Sequence, residues 1–301
     1  MLAKALYRKA TLLRAGFYMM KSGNTPKARC DLCPRLCEIA EGHVGICKAR
    51  SCKNGVIVDD NYGLVSALAL DPIEKKPLRR FFPGSMILSI GSYGCNLRCP
   101  FCQNHEISMA GKSDLRLKKT TPEELVALAK SLMPRGNIGI AFTYNEPVIS
   151  FEFVLDTFTL AKSEGLKTLL VTNGTLLEKP LLKLLPLLDA ANVDLKGFSD
   201  EFYKWVKGDF ECVKRFIELS YDRIHLEVTT LVIPGKNDSG EEMEAESSWI
   251  SSLDKNIPLH LSRYFPRYKC AESTEITPLE TLLRLQTIAS RHLKYVYTGN
   301  I

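Results

Sequence analysis

The chain has 301 residues, 45% of them hydrophobic and 25% charged, an ordinary globular composition with apolar material for one substantial core plus a small satellite. Its formal net charge of +6 is spread along the chain, with no Lys/Arg tract and no arginine strip interleaved with aromatics. That argues against a nucleic-acid surface and suits an anionic substrate or an acidic partner. No apolar run reaches the ~18 residues of a membrane span.

Residues 1–29 carry Lys4, Arg8, Lys9, Arg14, Lys21, Lys27 and Arg29 and no acid. A transit peptide has this look, but the spacing in "AKALYRKATLLRAGFYMM" predicts an amphipathic helix lying on the surface. Residues 30–84 are rich in cysteine and punctuated by Gly and Pro, with short strands expected at "GVIVDD" and "GLVSALAL". Cys30, Cys33, Cys37 and Cys47 make a complete four-thiolate set, enough for Zn²⁺ or an iron–sulfur cluster. Pro34 and Gly42 favour an irregular loop of the kind that wraps a metal. Cys52 is a fifth ligand or a bystander, and His43 a weaker alternative.

From residue 85 to 301, β-type runs alternate with helical patterns. "SMILSIG", "NIGIAFT", "LKTLLVT", "AANVDL", "IHLEVTTLV" and "IPLHLSR" read as buried parallel strands. Between them come "TPEELVALAKSLM", where Thr121, Pro122 and Glu124 form a capping pattern, and "VISFEFVLDTFTLAKSEG", ending on a C-cap glycine. "SDEFYKWVKGDFECVKRFIELS", "SGEEMEAESSWISSL" and "TPLETLLRLQTIASRH" follow as helices. Six strand–helix repeats give a parallel sheet with helices outside, which fits a doubly wound sheet and a full or partial barrel alike. The polar residues of interest fall just after the strands, where a barrel keeps its chemistry.

The ten cysteines are clustered, five between Cys30 and Cys52 and three in "GCNLRCPFCQNH", residues 94–105. Clusters in an enzyme-sized chain without a secretory signal point to metal ligation in a reducing cytoplasm, not to a disulfide framework. Cys95, Cys99 and Cys102 have the spacing C-x3-C-x2-C directly after the first strand. Three thiolates can hold three irons of a [4Fe–4S] cluster and leave the fourth open. A Cys3His zinc site completed by His105 and a Cys99–Cys102 redox pair are the alternatives.

This loop, with the strand before it and the barrel pattern after it, resembles the signature of the radical S-adenosylmethionine (SAM) superfamily. The resemblance implies a partial (β/α)6 TIM-like barrel, an α/β fold. It also implies that SAM binds the open iron through its amino and carboxylate groups and is reductively cleaved to a 5′-deoxyadenosyl radical, which abstracts hydrogen from a substrate. Phe101 matches the aromatic before the third cysteine. "TYNEP" falls where the superfamily has a Gly-Gly-Glu-Pro-like segment; Glu146 and Pro147 match it, while Tyr144 and Asn145 replace the glycines. Glu146 as acceptor for an ammonium is sensible chemistry, with a helix-start acid as the plain reading. Thr172 and Asn173 of "VTNGT" are candidates for the ribose or carboxylate of SAM. Asp194 and Lys196 share one face after the fourth strand, and Val232 and Ile233 of "VIPGKND" match the segment that flanks adenine. At "HLSRYF", alternation puts His260 and Ser262 on one face and Leu261 and Arg263 on the other, and Arg263 is the first choice for a substrate anion.

The cysteine-rich module, "DPIEKKPL" and "CQNHEIS" narrow the resemblance to the radical SAM enzymes of the AmmeMemoRadiSam system, relatives of the pyruvate formate-lyase activating enzymes. The expected organisation is a basic extension (1–29), a small metal-binding module with Zn²⁺ or a second cluster (30–84) and a radical SAM partial barrel (85–301). Expected partners are SAM, an electron donor such as flavodoxin or ferredoxin, and a protein or small-molecule substrate. A non-catalytic zinc or iron–sulfur adaptor is the alternative from another class.

Overall fold

The computed structural model describes residues 26–272 and 275–301; the basic segment predicted to form an N-terminal helix lies outside them. Two short antiparallel pairs come first. β1 (Lys27–Arg29) pairs with β2 (Glu38–Ala40), and β3 (Arg50–Lys53) with β4 (Val56–Asp59). Asn54 and Gly55, both at positive φ, supply the tight turn between the latter two, as an Asn-Gly hairpin requires. β5 (Leu64–Val65), β6 (Ala67–Pro72) and β7 (Met86–Gly91) follow, and β5 is later covered by β8 (Lys118–Lys119).

The main sheet continues with β9 (Asn137–Phe142), β10 (Lys167–Thr172), β11 (Ala190–Asp194), β12 (His225–Val232), β13 (Leu259–Arg263) and β14 (Val296–Gly299). Its order is β6-β7-β9-β10-β11-β12-β13-β14. All neighbours are parallel except β6, which runs antiparallel to β7. This sequential order has no switch point, so the doubly wound arrangement falls away and the sheet forms a barrel wall. β14 is a seventh parallel strand beyond the six expected. Its residues are all half-buried, so "VYTG" lacks the apolar run that marked the others.

The helix Pro122–Ser131 starts at the predicted capping box, with reciprocal Thr121–Glu124 bonds of 3.3 and 3.1 Å. The pattern expected as one helix over 199–220 is two, Asp200–Trp205 and Phe210–Ser220. Lys207 takes φ +58°, and Asp209 restarts the chain by capping Cys212 N–H at 2.8 Å. Among the described residues no helix is long and apolar enough to cross a membrane.

Alternation along β12 turns Glu227 into the barrel and Thr230 outward, where its hydroxyl bonds Glu246 on the helix Gly240–Asp254. Glu227 is fully buried and receives the backbone N–H of Arg79 (3.0 Å) and Arg80 (2.8 Å), with Nε2 of His225 at 2.8 Å and of His260 at 2.5 Å. Ile73, Leu78 and Phe81 cluster with Ile87, Ala141, Leu169 and Ala190. The segment after β6 thus plugs one end of the barrel. Burial alone would raise the Glu227 pKa, but the two histidines and the Arg80 N–H hold it down to about 2. Its ionisation therefore contributes stability above its ordinary value of 4.5, on the order of 3 kcal/mol. That contribution is lost as pH falls from about 4.5 through about 2. Glu227→Gln is expected to flatten this acid limb, read as melting temperature against pH.

The cysteine-rich module sits against the loop that follows β7. Arg50 makes a bidentate pair with Glu152 (2.7 and 2.8 Å), and Asn61 Nδ2 donates to Tyr93 O at 3.2 Å. Gly94 has φ +81°, and a Cβ there would lie 2.2 Å from the Cys47 carbonyl oxygen. Gly94→Ala is expected to destabilise the protein by about 2–4 kcal/mol, measured by denaturant unfolding.

Candidate active site

The C-terminal ends of the parallel strands surround a cavity of about 310 Å³, in the size range of small-molecule sites. Cys95, Cys99 and Cys102 all line it, together with Phe101, Asn145, Glu146, Thr172, Asn173, Asp194 and Lys196. Every cysteine of the chain is a free thiol. The three thiols face this one cavity, and three thiolates on one loop are a donor set that fits a multi-iron cluster with one iron left open.

The loop carrying them has little regular structure and is tied down by side chains. Asn145 accepts from Ser92 N–H at 2.9 Å and donates to the carbonyls of Tyr93 and Gly94, each at 3.1 Å. Arg98 donates to the carbonyls of Cys95 (2.7 Å) and Leu97 (2.6 Å) and to that of Ile46 in the cysteine module. Asn96 donates to Thr175 O at 3.0 Å and accepts from Asn173 Nδ2 at 2.9 Å. Cys95 Sγ itself accepts from Leu97 N–H (3.3 Å) and Asn173 Nδ2 (3.7 Å). Burial pushes the Cys95 thiol well up and the Cys99 thiol to about 12, so metal binding here must displace protons.

Glu146 is 2% exposed. Its carboxylate accepts from Thr172 Oγ1 (2.7 Å), Asn173 N–H (2.7 Å) and Val148 N–H (3.1 Å). It is both the helix-start acid of the turn Pro147–Ser150 and a wall of the cavity. Burial is the main cause that raises its pKa, to about 7, against those hydrogen bonds. Lys196 Nζ pairs with Asp194 at 2.7 Å. Phe101 is buried against Trp205, at 5.1 Å between ring centroids.

Several expected residues lie elsewhere. Val232 and Ile233 are fully buried and outside the cavity lining, which takes Thr229 and Leu231 from the other face of β12. Asn237 Oδ1 holds Ile233 N–H at 2.7 Å, closing the "VIPGKND" turn on itself. Arg263 donates Nε to Thr277 O at 2.8 Å and lies over the Phe265 ring; Ser262 takes its place in the lining. His105 stacks on Tyr268 at 4.5 Å with Nδ1 3.2 Å from Cys102 O, and it too is outside the lining.

In the module, Cys30, Cys33, Cys37 and Cys47 line a second, small cavity that also includes Asn96 and Arg50. The Cys52 thiol lies apart, donating to Glu41 Oε2 at 3.6 Å, and His43 Nδ1 is 3.0 Å from Glu41 O. Burial pushes the Cys33 thiol up to about 11, opposed in part by a hydrogen bond from Asn96. Asn96 thus reaches Cys33 of the module directly and Cys95 only through Asn173, which bonds both Asn96 and Cys95 Sγ. The spacing rules that flagged the cysteines carry no signal for Asn96 or Arg98, short-range neighbours whose partners are far along the chain.

Asn145→Ala removes a half-buried amide from four backbone partners, the N–H of Ser92 and the carbonyls of Tyr93, Gly94 and Glu146. We expect a loss of about 2–3 kcal/mol and, after reconstitution with iron and sulfide, less iron retained per chain than wild type, measured by metal analysis.

The family model described as the Radical SAM superfamily matches residues 89–246. An uncharacterized protein of Methanocaldococcus jannaschii is 40% identical over 291 residues, covering 95% of this chain and 85% of that protein. A pyruvate formate-lyase-activating enzyme of Clostridium pasteurianum is 26% identical over 197 residues, 63% of this chain and 73% of that enzyme. In fold, the structure of Streptococcus suis SuiB bound to S-adenosylmethionine matches with a TM-score of 0.56 at 12% identity, covering 71% of this chain and 52% of SuiB. The thiols that face one cavity after β7 are thus the cysteine loop of a family member, and the chain belongs to the radical SAM superfamily.

Proposed function

We propose that the chain is a radical SAM enzyme that binds a [4Fe–4S] cluster through Cys95, Cys99 and Cys102, with SAM in the adjoining cavity and hydrogen abstraction from a substrate as the reaction. The observation that carries this reading is that three free thiols of one loop face a single cavity walled by buried polar groups. When bound, the cluster supplies the electron that reductively cleaves SAM to its hydrogen-abstracting radical.

The chain's own residues bind, orient and exclude water. Glu146, held by Thr172 and Asn173, keeps acceptor capacity for the ammonium of SAM, with Asn145 fixing the loop beside it. The ribose and carboxylate fall to Thr172, Asn173 and the Asp194–Lys196 pair, and Phe101 screens the cysteines from water. Val232 and Ile233 act from behind the wall, by shaping it. The N–H donors on Cys95 Sγ tune the cluster's potential.

The likeness to activating enzymes supports a protein substrate, and Streptococcus suis SuiB is also known bound to the precursor peptide SuiA. An electron donor of the flavodoxin or ferredoxin type supplies the reducing equivalent, and a reducing compartment such as the cytoplasm preserves the thiols. The narrower kinship with AmmeMemoRadiSam enzymes rests on the module and on "DPIEKKPL". Cys30, Cys33, Cys37 and Cys47 hold a second metal, Zn²⁺ or another cluster.

Two measurements check this reading. Anaerobically reconstituted, dithionite-reduced protein given SAM is expected to form 5′-deoxyadenosine, and Cys99→Ala to form none. Stimulation of that product by the macromolecular fraction of a cell extract, not by its small-molecule filtrate, marks a protein substrate. No product together with no SAM binding contradicts the enzyme reading and leaves a metal-binding adaptor. Separately, Cys30→Ser/Cys33→Ser is expected to lose one metal equivalent, zinc or a cluster's iron, while the iron at Cys95, Cys99 and Cys102 stays.

A further inference from the structure

Two cations in the cavity lining, Lys75 and Lys76 of "DPIEKKPL", come from outside the residues that match the family model. Lys76 is 2% exposed. Its Nζ lies 2.7 Å from Asp71 Oδ2 on β6 and 4.6 Å from the centre of the Tyr144 ring. Lys75 Nζ reaches Asp71 Oδ1 at 3.5 Å, and Tyr144 OH donates to Asp71 Oδ2 at 2.6 Å. One carboxylate therefore serves two ammoniums and a phenol, and the group keeps a formal charge of +1.

Burying an ammonium without full compensation is costly, and an aromatic face offsets only part of that cost. Lys196, by contrast, is balanced one to one by Asp194. Asp71 is not itself in the lining, so the cavity meets the cations and not their counterion. Tyr144 adds a second sign of construction. It holds φ +73°, a conformation that costs free energy in a residue other than glycine. Its carbonyl accepts from Asn104 Nδ2 at 2.7 Å, and its hydroxyl is spent on Asp71. Thr229, its hydroxyl donated to Asn192 Oδ1 at 2.9 Å, and Ser262, which accepts from Asn300 Nδ2 at 2.9 Å, line the same cavity, whereas Arg263 is engaged with Thr277.

We propose that Lys75 and Lys76 form an anion subsite that binds a carboxylate or phosphate of the substrate, with Asp71 and Tyr144 as positioning residues. This rests on the cavity being the radical SAM site, because it assigns this corner to substrate and the rest to SAM. With buried Lys76 paired to Asp71 and Lys75 at the solvent-exposed edge, this corner of the cavity keeps a net positive charge that selects anionic substrates over neutral ones.

The test is calorimetric titration of the reconstituted protein with inorganic phosphate and with acetate, each with SAM present at saturation, and SAM affinity measured in parallel. Saturable anion binding is expected in wild type. Lys76→Met should weaken it tenfold or more, Lys76→Arg should keep it within about threefold, and SAM affinity should change less than twofold. Lys75→Met, at the exposed rim and tolerant of folding, should weaken it at least threefold, while Lys130→Met on the outer surface leaves it unchanged. Tighter binding of phosphate than acetate assigns a phosphorylated substrate, and the reverse order a carboxylate. Absence of saturable binding, or equal binding by wild type, Lys76→Met and Lys75→Met, overturns the subsite. Failure of wild type to bind SAM overturns the radical SAM reading, and the anion titration, run without SAM, still decides the lysines.

Discussion

A loop that presents three thiols to one cavity has few backbone partners of its own, and every buried N–H and C=O along it still needs one. Here the partners are side chains from distant parts of the chain. Asn145 follows β9, Asn173 follows β10, and Arg35 reaches in from the cysteine module to Asn96 O at 3.3 Å. Removing any one leaves buried carbonyls or amides unmet, which costs more than the bond itself contributes. These bonds fix the backbone between the thiols, and Arg35 and Arg98 join the module to the loop through backbone carbonyls. Gly94 permits the closest approach, against the Cys47 carbonyl.

The second constraint is charge. The cavity holds Glu146, Asp194, Lys76 and Lys196 in a largely buried setting, with Lys75 at its exposed edge, and each buried charge must be paired or held by hydrogen bonds. Glu146 is held by three donors and Lys196 by Asp194, so these two are ready for a ligand that is itself both cationic and anionic. The Asp71 group is different because its cations outnumber its carboxylate. The barrel's other end shows a different solution: Glu227 there is held by hydrogen bonds with two histidines and two backbone N–H groups, beneath the segment that plugs the barrel.

Much of this was legible in the sequence, for physical reasons. Strands buried on both faces read as Val/Ile runs, and the capping box of Pro122–Ser131 is a local pattern that tertiary contacts did not override. The C-x3-C-x2-C spacing marks its own chemistry. What stayed hidden depends on contacts across the chain. Asn96 and Asn145 act through backbone partners that no periodicity encodes. β14 is half-buried throughout and so lacks an apolar run. Arg263 looked available because it ends a strand, although alternation already set it opposite Ser262, which lines the cavity. "DPIEKKPL" was visible as a motif, but its lysines gain a role only when β6 pairs with β7 at the cavity's side.

The most direct test of the central claim, an open-sided cluster beside a SAM cavity, is electron paramagnetic resonance of the reduced protein with and without SAM. A variant lacking the module thiols, Cys30→Ser/Cys33→Ser, keeps any second cluster from contributing. The account predicts the signal of a [4Fe–4S] cluster whose g-values shift when SAM is added and which vanishes in Cys99→Ala. A cluster signal indifferent to SAM, or survival of the signal in Cys99→Ala, would contradict it.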